Sequence, residues 1–133
     1  NIVIIFANNT TYGMTGGQMA PTTLPGQITQ TTPFGRDPKV QGYPVRVCEM
    51  LATLDGVALA QRVAVDNIPH IRETKKAIRK AFENSMNGLG SNLVEIVSSC
   101  SSGWKLTPLK ANEWMQENMF KFYPKGDLKD TTK

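Results

Sequence analysis

Asn8 and Asn9 end an apolar run, Ile2 to Phe6, and lead into TTYGMTGGQ. In open α/β sheets, ligands bind beyond the carboxyl ends of the strands. A neutral amide oxygen at such an end can ligate a hard cation such as Mg²⁺, which takes oxygen donors and is commonly shared with a substrate's phosphates. Gly13, Gly16 and Gly17 let backbone approach a phosphate closely. Thr10, Thr11, Thr15 and Gln18 add hydrogen-bonding groups. The stretch therefore suits a metal–diphosphate site. A strand followed by Asn-Asn and a glycine-rich turn is also the pattern of an Asx-capped loop with no ligand.

Few other residues could do chemistry. Cys48 and Cys100 are far apart and form no CxxC pair, so the chain alone holds no complete thiolate metal site. Cys100 follows the apolar stretch NLVEIV. On its own, such a cysteine is usually a small buried hydrophobe. Cys48 lies beside Val47 and Leu51 and reads as core. His70 is the one histidine, expected at an exposed first turn of a helix, so no Ser-His-Asp set can be assembled. Asp55, Asp66 and Glu95 read as structural. Trp104 and Trp114 flank the last helix, where they could cover the core or a subunit interface.

These residues need elements to hold them. NIVIIF is β-branched and apolar without alternation, the pattern of a strand covered on both faces in a parallel sheet. Residues 7–41 have no helical period and carry many Gly, Pro and Thr residues, as functional loops do. Tyr43 to Leu54 reads as a short helix with Pro44 in its first turn and Gly56 past its end. Val57 to Val65 is a second strand. A helix follows, with Asn67 as cap, Pro69 in the first turn, Ile71, Ile78 and Phe82 on one stripe, and Gly88 closing it. Asn92 to Val97 is a third strand. TPLKANEWMQENMF is a last helix, capped at Thr107 with Pro108 in its first turn. Residues 120–133 read as an extended, partly disordered tail. Strands alternating with helices give an α/β class with a mostly parallel sheet flanked by helices.

Composition narrows the function. The 133 residues are 40% hydrophobic and 20% charged, ordinary for one globular domain. No apolar run is long enough to span a bilayer. The net charge of +4 concentrates in KKAIRK (Lys75 to Lys80) and the tail KGDLKDTTK. These read as a solvated helix face and a frayed end, or as a docking surface for an acidic partner. Without interleaved aromatics or a recognition motif, nucleic acid is not an expected partner. The chain opens without Met, already inside a strand, which reads as the C-terminal half of a longer polypeptide.

NNTTYGMTGGQMAPTT resembles the cofactor loop of the thiamine-diphosphate-binding subunit of 2-oxoacid:ferredoxin oxidoreductases. The resemblance extends through GRDP, GYPVRVCEMLATLDG, VALAQRVAV and VEIVSSC, over essentially the whole chain. It implies a thiamine-diphosphate-binding fold, of which residues 1–133 are the C-terminal part and residues 7–41 the cofactor loop. It also implies an Mg²⁺ ligated by the Asn9 side chain and the Thr11 backbone carbonyl, with a third ligand from a GDG motif outside this sequence. Tyr12, Gly13, Met14 and Thr15 would line the diphosphate and the approach to the thiazolium ring. Met14 could equally pack under the loop, and both could hold. Gly16 stands where some relatives have Lys. Cys100 would be one ligand of a [4Fe–4S] cluster, the other three lying outside this chain. Relatives often have Pro after this cysteine, where this chain has Ser101.

No residue of the chain is implied as an acid–base catalyst. The implied enzyme oxidatively decarboxylates a 2-oxoacid with coenzyme A and passes electrons to ferredoxin. It is a cytoplasmic hetero-oligomer of anaerobic metabolism, with no membrane and no nucleic-acid partner. The expected substrate is 2-oxoisovalerate, or else 2-oxoglutarate. Two other readings stand beside it: a non-oxidative thiamine-dependent decarboxylase or synthase, and a non-catalytic scaffold half-domain.

Overall fold

β-Branched and small apolar residues dominate the three longest strands, which lie in one four-stranded sheet, and two short strands pair separately. In the computed structural model, which describes all 133 residues, the elements run β1 (Val3–Asn8), β2 (Thr11–Tyr12), β3 (Gln18–Met19), α1 (Pro38–Gln41), α2 (Val47–Ala52), β4 (Val57–Ala64) and α3 (Ile68–Met86). They continue with β5 (Ser91–Val97), α4 (Ser101–Trp104) and α5 (Pro108–Trp114). A π-helical turn (Met115–Met119) then leads to α6 (Phe120–Phe122) and β6 (Gly126–Asp130). The chain divides into two compact units, residues 1–7, 46–97 and 123–133, and residues 8–45 and 98–122. No helix is long and apolar enough to cross a membrane.

The first unit is the sheet, in the order β1-β5-β4-β6. β4 and β5 pair in parallel, Ala60 opposite Leu93 and Ala64 opposite Val97. Hydrogen bonds from Asn92 N–H to Ile2 O and from Ser98 N–H to Asn8 O advance together along both strands, so β1 runs parallel to β5. Leu59, Val63 and Val94 meet Ala77 and Ala81 of α3 on one face. Val57, Ala60 and Leu93 meet Cys48 of α2, with Phe6, Leu51 and Leu128 around them, on the other. The α/β class with a mostly parallel sheet between helices is therefore as expected.

Four expectations need correction. β1 is an edge strand, and Ile4 and Ile5 are exposed rather than covered on both faces. The short helix is only α2; Pro44 lies ahead of it, and Arg46 is its N-cap. On α3, the cap at Asn67 and Pro69 at the start are as expected, but the buried face is Thr74, Ala77, Ala81 and Asn84. Small side chains let the helix lie close to the sheet, which turns Phe82 out to 51% exposure and leaves Ile78 at the margin of the core. The tail is not disordered: β6 pairs antiparallel with β4, Ala60 opposite Lys129, so the polar tail closes that edge through its backbone.

A buried ion cluster also lies in this unit. Arg62, 1% exposed, donates from Nε to Glu95 Oε2 at 2.9 Å and from Nη1 to Glu49 Oε1 at 2.9 Å. It also reaches Pro124 O at 3.2 Å, with the Tyr123 ring 5.3 Å from its guanidinium carbon. Burial raises the Glu49 pKa, but hydrogen bonds and charge from Arg62 outweigh it and hold the carboxyl below its ordinary value. Cys48 is core, as expected, and burial pushes its thiol up to about 12.

Candidate functional site

The carboxyl ends of β1 and β5 feed the second unit. Asn8 and Asn9 each start an Asx turn: Asn8 Oδ1 accepts from Thr10 N at 3.1 Å and Asn9 Oδ1 from Thr11 N at 3.4 Å. The second bond is long, so it holds the Asn9 amide loosely. Between them, Thr10 takes a left-handed backbone (φ 59°), costly for a β-branched residue unless its surroundings enforce it. They do. Thr10 is fully buried; its carbonyl accepts from Thr23 Oγ1 at 2.5 Å and its hydroxyl from Gln27 Nε2 at 2.8 Å. Strained backbone over-determined by its neighbours is characteristic of ligand-binding turns.

β2 and β3 then form a small hairpin, Thr11 opposite Met19 and Tyr12 opposite Gln18. Gly17 N–H donates to Tyr12 O at 2.9 Å, and Gly16 and Gly17 carry the positive φ this turn needs. Gln18 closes the turn by donating to Thr15 O at 2.8 Å and accepting from Thr15 Oγ1 at 2.8 Å. Met14, at the tip, is fully exposed and Tyr12 half-exposed. Packing of Met14 under the loop is therefore not found.

Cys100 is brought to this hairpin. It stands at the N-cap of α4, half-buried, and a methyl group at Gly13 would fall 2.5 Å from its Sγ. A methyl at Gly103 would meet Cys100 Sγ at 2.8 Å, Thr11 Cγ2 at 3.0 Å and Gly13 Cα at 3.2 Å. Glycines at both positions thus let a thiol, a helical turn and the hairpin touch.

Residues 20–43 are held by Arg36, which sequence reasoning missed. This buried guanidinium donates to the carbonyls of Thr23 (2.7 Å), Pro21 (2.9 Å), Gly42 (3.0 Å) and Tyr43 (3.2 Å). The Thr29 and Thr32 hydroxyls, 2.6 Å apart, pin a turn nearby. The GRDP segment gave the only signal. Trp104 and Trp114 pack with ring centroids 4.5 Å apart, and Trp104 Nε1 donates to Asn9 O at 3.2 Å. With residues 24–28, Leu106 and Asn118 they line a cavity of about 420 Å³.

Asn9, Thr11, Tyr12, Gly13, Met14, Thr15 and Cys100 are thus gathered in one unit. Asn9 and Thr11 offer neutral oxygens, chemically suited to Mg²⁺ once a carboxylate joins them from elsewhere. Cys100 offers one thiolate of the four a [4Fe–4S] cluster takes. No three His, Cys, Asp or Glu side chains are placed to hold a metal ion among themselves. His70 belongs to the first unit, half-buried rather than exposed and hydrogen-bonded to Asp66 and Asn67.

A parallel α/β sheet with a strand running on into a glycine- and threonine-rich turn is the class of fold in which ligands bind beyond the carboxyl ends of the strands. The family described as thiamine pyrophosphate enzyme, C-terminal TPP binding domain, matches residues 1–96. The chain belongs to that family. The ketoisovalerate oxidoreductase subunit VorA of Methanothermobacter thermautotrophicus is 40% identical over 129 residues, 97% of this chain and 27% of that protein. The 2-oxoglutarate synthase subunit KorB of Archaeoglobus fulgidus is 28% identical over 118 residues, 89% of this chain and 40% of that protein. The pyruvate synthase subunit PorB of M. thermautotrophicus is 27% identical over 113 residues, 85% of this chain and 37% of that protein. The chain thus spans less than half the length of each of these relatives. No solved structure matches it.

Proposed function

We propose that this chain is the cofactor-binding part of a 2-oxoacid:ferredoxin oxidoreductase that converts 2-oxoisovalerate and coenzyme A to an acyl-CoA and CO₂. Relatives named for three different 2-oxoacid reactions support the class, and the higher identity to the ketoisovalerate subunit favours the branched substrate. The observation that carries the oxidative reading is the Cys100 thiol seated against Gly13 of the cofactor loop. A thiolate cluster ligand at that place would put an electron carrier beside the cofactor, which a non-oxidative enzyme does not need.

Thiamine diphosphate supplies the carbon–carbon chemistry when bound. The chain's own residues bind and orient. Asn9 Oδ1 and the Thr11 carbonyl would hold Mg²⁺, which would offset diphosphate charge. Tyr12, Gly13 and Thr15 line the diphosphate, and the exposed Met14 presents an apolar surface toward the reacting ring. Cys100 would supply one thiolate to a [4Fe–4S] cluster whose other ligands lie outside this chain, a group that would supply one-electron transfer toward ferredoxin. The remaining subunits complete the site in a cytoplasmic complex.

The test is an anaerobic assay of the native complex with 2-oxoisovalerate, 2-oxoglutarate or pyruvate, coenzyme A and ferredoxin. Ferredoxin reduction dependent on coenzyme A and strongest with 2-oxoisovalerate is expected. Decarboxylation without ferredoxin reduction would favour the non-oxidative reading, and no turnover of any 2-oxoacid the scaffold reading.

A further inference from the structure

The Asn9 peptide is held from two sides. After it in sequence, Thr10 is fixed in its left-handed conformation by Thr23 and Gln27. From the far end of the chain, the Trp104 indole N–H donates to the Asn9 carbonyl at 3.2 Å. The Asn9 side chain has only its long Asx bond to Thr11 N–H, so the direction of its Oδ1 follows from where the peptide is placed. Trp104 is itself fixed. Its backbone N–H donates to Cys100 O at 2.9 Å, closing the α4 turn, and its ring leans on Trp114 at a 53° tilt.

We infer that Trp104 is a positioning residue for the metal-binding turn: its indole N–H sets the Asn9 peptide so that the side-chain oxygen meets Mg²⁺. This rests on the reading of Asn9 as a metal ligand. The same single turn carries Cys100, so one four-residue helix would set both the amide donor and the thiol against the hairpin. Groups that orient a metal ligand without touching the metal commonly change metal affinity 10–100-fold when removed.

The experiment uses the complete native complex, stripped of cofactor, with Mg²⁺ titrated at fixed thiamine diphosphate and binding followed by calorimetry. Trp104→Phe keeps a ring for the stack and removes the N–H. Trp114→Phe makes the same chemical change one ring away, with no bond to Asn9. The expected result is a roughly tenfold rise in apparent Mg²⁺ Kd for Trp104→Phe, little change for Trp114→Phe, and similar melting temperatures for both. An unchanged Mg²⁺ Kd in Trp104→Phe, or equal weakening in both variants, would overturn the inference and leave the indole pair a packing role. Asn9→Ala, measured alongside, separates the two claims. If Mg²⁺ binding survives Asn9→Ala unchanged, the ligand reading itself fails. If Asn9→Ala abolishes it while Trp104→Phe does not change it, only the positioning role fails.

Discussion

Arg62 shows how one residue can dominate its surroundings. Its guanidinium is fully buried with the equally buried Glu95 and the half-buried Glu49. A buried pair is only weak evidence of net stabilisation, because both charges were taken out of water. Breaking it is another matter, since the Glu95 carboxyl would be left buried without the guanidinium. Arg62→Met is expected to lower unfolding stability by about 3–5 kcal/mol in urea titration. The double variant Arg62→Met/Glu95→Gln should recover part of that loss, because the buried carboxyl is removed with its partner. Equal loss in both would show that packing against Tyr123, rather than charge, sets the cost.

At the scale of elements, α4 lies close against the hairpin, and its two glycine contacts differ in kind. A methyl at Gly13 meets mainly the Cys100 thiol, which can rotate away. A methyl at Gly103 meets the thiol, Thr11 Cγ2 and the Gly13 backbone together, so no single rotation relieves it. Gly103→Ala is expected to cost about 1–3 kcal/mol in denaturant unfolding, and Gly13→Ala clearly less. The reverse order would mean that α4 shifts freely on the hairpin. This contact was hidden in the sequence, whereas β4, β5 and the caps at Asn67 and Thr107 were legible. Apolar runs and caps act over a few residues, so short-range patterns record them. Arg36 bonds carbonyls up to 16 positions away, Arg62 meets a carboxylate 33 positions away, and β6 pairs through backbone under polar side chains. None of these leaves a period. Asn9, Gly13 and Cys100 were legible as candidates through their motif, but the touch between Gly13 and Cys100 was not.

For the whole molecule, charge sets the acid limit. The chain carries +4 at neutral pH, so every carboxylate protonated on acidification adds to an existing excess of positive charge. Two carboxyls matter most. Glu49 stays below its ordinary 4.5, because Arg62 outweighs burial. Asp130, on β6, stays below its ordinary 3.8, because Lys80 and Thr132 outweigh burial. A depressed folded pKa means the unfolded chain takes up protons first as pH falls. The stabilisation from both groups is thus fully present above about pH 5 and drains away below, through the ordinary carboxylate range and beyond. Urea midpoints should be flat from about pH 7 to 5 and then decline steadily. Glu49→Gln keeps Arg62 paired with Glu95, so this variant should fold, start lower at neutral pH and show a shallower acid decline. A parallel decline in wild type and Glu49→Gln would place the acid sensitivity elsewhere, with the clasp of Asp130 by Lys80 next to be tested by Asp130→Asn.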